Sequence, residues 1–213
     1  MKTKMLMMAS LLLVLALTGK AQKLLRANFV IADYKTGIQH TVLTYPKFVM
    51  GMDATGNITF LKSRGPRDSS PDWGDFEDHS ASGIEMIGNL KVTYYGSADW
   101  DKEGKIKSVE GVPFNYYDRF DIHDGKGKLK SIGDEKISYN NAFDIHEKAG
   151  TLKSVGNISI QYNNAFDIHD IKGTVKSVGP VKITYYNKLD NESLRGKIRS
   201  VKGNSRELAV TRL

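Results

Sequence analysis

Apolar and polar residues alternate with period two in short runs through the second half of the chain. In the run from 156 to 163, Ile158, Ile160 and Tyr162 alternate with Ser159, Gln161 and Asn163. Period two places one set of side chains on each face of a half-buried strand. Phe166 and Ile168 alternate with Asp167 and His169 in the same way and read as a second short strand. Gly156-Asn157 and Gly179-Pro180 separate runs by two residues with Gly first, the chemistry of a type II′ hairpin turn. Asp170-Ile-Lys-Gly173 reads as a four-residue turn, with Asp to start it and Gly for a positive φ. No stretch after residue 21 has a helical period, so the predicted class is all-β.

The pattern is a tandem repeat. Gly104, Gly127, Gly150, Gly173 and Gly196 are each 23 residues apart, as are Ser108, Ser131, Ser154, Ser177 and Ser200. Tyr116, Tyr139, Tyr162 and Tyr185 keep the same step, and Phe-Asp-Ile-His recurs at 120–123, 143–146 and 166–169. A fixed step of this kind means one supersecondary unit stacked several times, here five units over 88–202. The tight turns favour an antiparallel meander of hairpins. The alternative is a parallel β-solenoid, favoured by Asn140-Asn141 and Asn163-Asn164, which would ladder between coils. The hairpin reading is preferred.

Residues 22–87 lack the repeat. Runs at Asn28–Asp33, Gln39–Met52 and Ile58–Leu61 read as strands, with Asp53-Ala-Thr-Gly-Asn57 as a turn. Repeat arrays need atypical ends, so this segment is expected to be an N-terminal β cap, with 62–83 as a long loop. The tail 203–213 ends the array, and Arg206 to Leu213 reads as a last strand.

Residues 1–21 have the form of a signal peptide: Lys2 and Lys4, an uncharged apolar run from Met5 to Leu17, and small Gly19 and Ala21 before Gln22. The run is shorter than the ~20 residues that span a bilayer. An exported chain with no further transmembrane segment is expected, periplasmic or extracellular. Cleavage would leave 28 basic against 24 acidic residues, a net charge of +4 instead of +7. That balance does not call for a nucleic-acid partner. The chain has no Cys, which excludes disulfides, thiolate catalysis and cysteine-zinc sites.

Three sets of residues could carry chemistry. Asp121 and His123, Asp144 and His146, and Asp167 and His169 lie two apart; on a strand each pair shares a face and offers divalent-metal ligands. Lys107, Lys130, Lys153, Lys176 and Arg199 form a basic row that would suit a polyanion. Tyr95, Tyr117 and Tyr186 each follow another Tyr, so one ring of each pair should face outward; with Trp73 and Trp100 they are candidates for stacking on sugars or on a protein partner. The loop Asp72-Trp-Gly-Asp-Phe-Glu-Asp-His79 is the most distinctive unrepeated segment. No nucleophile elbow, phosphate-binding loop, dinucleotide fingerprint or His-Glu-x-x-His is present, and no cofactor is implied.

The unit Gly127-Lys-Leu-Lys-Ser-Ile-Gly133, followed by Lys136-Ile-x-Tyr139, resembles the short tandem β-repeats of uncharacterised secreted bacterial proteins. The resemblance covers about 87–202 and implies architecture without an activity. The expectation is an exported, non-enzymatic β-repeat protein that binds or scaffolds at the cell envelope or outside the cell, with an envelope protein or polysaccharide as partner. The alternative is a glycan- or polyanion-binding module. A weaker one is a hydrolase whose site lies in the N-terminal segment, around Asp75, Asp78 and His79.

Overall fold

The computed structural model describes residues 22–65 and 84–213. The expected signal peptide, Trp73 and the acidic segment around Asp75 to His79 lie outside the described residues. The fold is all-β, with two sheets built mainly of antiparallel hairpins and not closed into a barrel. Among the described residues the sole helical turn is a 3-10 turn at Glu192–Leu194.

The repeats form a ten-stranded meander in strict chain order. Its strands are β6 (Val92–Tyr94), β7 (Ile106–Val109), β8 (Val112–Tyr116), β9 (Leu129–Ile132), β10 (Glu135–Tyr139), β11 (Leu152–Val155), β12 (Ile158–Tyr162), β13 (Val175–Val178), β14 (Val181–Tyr185) and β15 (Ile198–Lys202). Tight two-residue turns join β7 to β8, β9 to β10, β11 to β12 and β13 to β14, so four hairpins stand between β6 and β15. The turns at Gly133, Gly156 and Gly179 have φ between +52° and +56° at the first position and no positive φ at the second, as type II′ requires. Glu110-Gly111 is positive at both, as in type I′. The solenoid alternative is therefore not the fold. Asn140 and Asn163 do not ladder; each donates to the hydroxyl of Thr151 or Thr174, at 2.8 and 2.9 Å, within its own unit.

A β-bulge recurs where each hairpin meets the next. Asn115 pairs with Ser131 but Tyr116 pairs with Leu129, so Lys130 is an extra residue in the ladder. Lys107, Lys153, Lys176 and Arg199 occupy the same place in the other units. The bulge explains a spacing that a flat strand cannot use. Leu129 and Ile132 are three apart yet both are fully buried, as are Val175 and Val178. The serines lie on the outer face and cross-link it, with Ser138–Ser154 at 2.6 Å and Thr93–Ser108 at 2.7 Å.

The second sheet has six strands in the order β16-β1-β2-β3-β4-β5. These are β1 (Arg26–Ile31), β2 (His40–Thr44), β3 (Phe48–Asp53), β4 (Ile58–Ser63), β5 (Glu85–Ile87) and β16 (Leu208–Arg212). The expected N-terminal segment thus forms a sheet that lies over the apolar face of the array. Phe48 meets Phe114 at 6.2 Å between ring centres, Tyr139 reaches the Met52 sulfur, and Gly37 donates to the Gly173 carbonyl at 2.9 Å. The tail is a strand as expected, but it leaves the array and pairs parallel with β1, Phe29 opposite Val210. One hydrophobic core joins both sheets. Phe114→Ala should therefore cost about 3–5 kcal/mol, since a buried aromatic is lost between two layers that can collapse only partly. Urea denaturation measures it, and an unchanged midpoint contradicts a shared core.

Candidate functional site

The long connections between hairpins are four near-identical loops, 117–128, 140–151, 163–174 and 186–197, preceded by a shorter one at 95–105. Each is closed at its base by two backbone hydrogen bonds; in the third, Asn140 N–H donates to Thr151 O at 2.8 Å and Gly150 N–H to Asn140 O at 2.7 Å. Gly127, Gly150, Gly173 and Gly196 take φ between +84° and +87° there, which explains the most regular glycine in the sequence.

The Phe-Asp-Ile-His segments are turns inside these loops, not the strands that their alternation predicts. The aspartate is the reason. Asp144 Oδ2 accepts the Asn141 N–H at 3.0 Å, and its Oδ1 accepts Lys153 Nζ at 2.6 Å. Asn141 Oδ1 in turn accepts the Phe143 N–H at 3.0 Å. Asp121 with Lys130 and Asp167 with Lys176 repeat the arrangement, both at 2.6 Å. Asp190 and Arg199 form a looser version at 3.7 Å. Such side-chain to backbone bonds offer the chain an alternative to a sheet ladder.

The basic row and the acidic row of the repeats are therefore partners of one another. At Lys130, Lys153, Lys176 and Arg199 the basic side chain, re-aimed by its bulge, pins the loop that precedes it. It also covers an aromatic ring where one is present: Lys107 lies 5.5 Å from the centre of Tyr95, Lys130 5.3 Å from Tyr117 and Arg199 5.2 Å from Tyr186. The hydrogen bond from the lysine, with that from the backbone, holds Asp121, Asp144 and Asp167 below the usual carboxylate range. His123 and His146 do not converge with them on a point in space. Each imidazole packs edge-on against the phenylalanine of the following loop, His123 on Phe143 at 4.6 Å and His146 on Phe166 at 5.0 Å. The main chain of His169 accepts Lys188 N–H at 3.0 Å. Among the described residues no group of three or more His, Asp or Glu could hold a metal ion.

In the pair Tyr94-Tyr95 one ring faces outward as expected, that of Tyr94, but the other pairs depart from the expectation. Tyr116 and Tyr117 are both buried. The second residue lies past the bulge, where the loop turns its ring back inward. Tyr117 donates to Ile137 O at 2.8 Å and Tyr95 to Phe114 O at 2.7 Å, each reaching into the next unit. Burial pushes the Tyr117 phenol up to about 12. Tyr186 is half-buried beneath Arg199.

Trp100 is exposed, and residue pattern alone missed its neighbours. Phe120, Ile122, Phe143, Ile145, Phe166, Ile168 and Leu189 are 67–84 % exposed, and Trp100 75 %. They stand at the tips of successive loops as one ridge along the array. The signal was the recurrence of Phe and Ile in segments bounded by turn residues, which is equally the signature of an inward-facing strand. At its first end the ridge borders a shallow surface hollow lined by Trp100, Asp101, Arg119 and Phe120. There Asp101 is held low by Arg119, whose Nε donates at 2.6 Å, and by Lys126 at 2.7 Å.

No protein-family model matches the chain, and no curated protein or solved structure matches it either.

The loop carboxylates predict an acid-dependent stability. Their folded pKa values are depressed, so their contribution is present in full above the unfolded range near 4 and is lost as pH falls through the folded values. The triple variant Asp121→Asn/Asp144→Asn/Asp167→Asn keeps an acceptor for the backbone but removes the titration. Its melting temperature should fall less steeply than wild type between about pH 4 and 2. Superimposable acid limbs contradict the pairing.

Proposed function

We propose that this chain is an exported, non-enzymatic binding or scaffolding protein of the cell envelope or extracellular space, with the loop ridge as its contact surface. The observation that carries the reading is the exposure of eight large apolar side chains on five successive loops of the array. Monomeric soluble proteins rarely expose contiguous apolar surface beyond about 300–600 Å², and larger patches mark interaction sites. The loops that present these side chains are built alike and tied down by ion pairs, so the ridge is held in place before it meets a partner. The repeated Asp, His and Lys residues, which would otherwise suggest catalysis or metal binding, are used to build the loops. The pairing of the basic row with the loop aspartates also argues against a polyanion as the ligand.

A neutral glycan is the second reading, and the spacing of the tips favours it. Two strands per unit set the ridge pitch at about 9.5 Å, from a strand separation of ~4.7–4.9 Å. That is close to the length of one disaccharide in an extended β-1,4-linked polysaccharide, and aromatic rings stack on sugar faces.

The test is co-sedimentation of the full chain with isolated bacterial envelopes and with insoluble β-1,4-linked polysaccharide, beside the variant Phe120→Ser/Phe143→Ser/Phe166→Ser. The rings are exposed, so the variant should melt within a few degrees of wild type. It should lose at least tenfold in capture on whichever material retains the wild type. Equal retention of wild type and variant contradicts the assignment of the ridge.

A further inference from the structure

Taking the ridge as the contact surface, we infer that its occupant is a second copy of this chain, docked ridge to ridge and antiparallel about a two-fold axis through the loop 140–151. Three observations meet in this assignment: area, pitch and charge.

The exposed side chains are Trp100, three Phe, three Ile and Leu189. Aromatic side chains alone bury about 150–250 Å² each when covered. The ridge therefore offers on the order of 1,000 Å², above the ~800 Å² that each partner contributes to a standard stable interface. A protein partner of full interface size fits that area; a single-loop contact does not use it.

The pitch is fixed by backbone hydrogen bonding at about 9.5 Å. A surface of the same pitch can meet the ridge tip for tip along its whole length, and another copy of the array has that pitch. A two-fold contact makes the same patch serve both partners. With the axis through the third loop, the second loop faces the partner's fourth and the first faces the partner's fifth.

Charge selects the antiparallel direction. The first loop, 95–105, carries Asp99, Asp101 and Glu103 against Lys102 and Lys105, a net −1. The last, 186–197, carries Lys188, Arg195 and Lys197 against Asp190 and Glu192, a net +1. Antiparallel docking brings these ends together; parallel docking sets like against like. The half-buried carboxylates beside the tips, Asp124, Glu147 and Asp170, disfavour an anionic lipid surface as the occupant.

The absence of cysteine permits a direct test. Ile145→Cys sits at the axis and should cross-link to itself under mild oxidation, giving a dimer band removed by reductant. Ile122→Cys and Ile168→Cys should cross-link efficiently only when the two variants are mixed. In sedimentation velocity the wild type should run as a dimer at micromolar concentration. The variant Phe143→Asp/Phe166→Asp should run as a monomer with an unchanged far-UV spectrum. A wild type that stays monomeric and does not cross-link through Ile145→Cys overturns the inference. So does efficient self-cross-linking of Ile122→Cys alone, which would mean a parallel or shifted register. If the chain is monomeric but the triple serine variant still loses capture on polysaccharide or envelopes, the ridge reading stands and a different occupant is established. If capture survives those substitutions, the ridge reading itself has failed.

Discussion

A single extra residue, recurring at each strand pair that the long loops join, governs the structure of this protein. The bulge at Lys107, Lys130, Lys153, Lys176 and Arg199 does two jobs at once. It lets apolar residues three apart point into the same core, and it turns a long basic side chain toward the preceding loop. In the three central units the ammonium group meets an aspartate at 2.6 Å, and that aspartate holds a backbone amide of its own loop. Each pair is exposed enough that it adds little to global stability, on the order of 1 kcal/mol or less. Its effect is local: it chooses the shape of a twelve-residue connection that has no sheet to hold it.

The shape then decides what remains available for function. The loop aspartates are turned down toward the bulge lysines on the strands. Phenylalanine and isoleucine, flanking the aspartate on either side, are turned out. The second sheet matters here because it occupies the other candidate surface. By covering the array from Phe114 to Gly173 it consumes the inner face, and β16 seals the joint by pairing with β1 across nearly the whole chain. At the last array edge, Asp33 caps the Ile198 amide at 2.8 Å while pairing with Arg212, so this edge is also partly closed to added strands. The loop tips carry eight large apolar side chains that neither sheet covers.

Much of this was legible in the sequence. The 23-residue step marked the recurring glycines, serines and tyrosines, and the Gly-first two-residue turns pointed to hairpins and not to solenoid coils. What misled was alternation over too few residues. Phe166-Asp-Ile-His169 alternates as a strand does, but four residues cannot tell a side chain facing a core from one facing solvent. The deciding partners, Lys176 nine residues later and Asn164 before it, belong to a motif that period two does not describe. Tyr117 was misplaced for a related reason: strand logic carried past the bulge assigns it the wrong face. A cap was expected of residues 22–87, but the pairing of Leu208–Arg212 with β1 is a contact between the two ends of the chain, which no local pattern encodes.

Amide hydrogen exchange in the loops, followed by NMR, tests the central claim most directly. If the bulge lysine and loop aspartate hold the ridge, the Asn141 and Asn164 amides exchange much more slowly than in an unstructured peptide. In Lys153→Met the Asn141 amide then loses protection while the Asn164 amide keeps it. Exchange of both amides at free-chain rates in the wild type would contradict the account, because the ridge would then have no fixed shape to present.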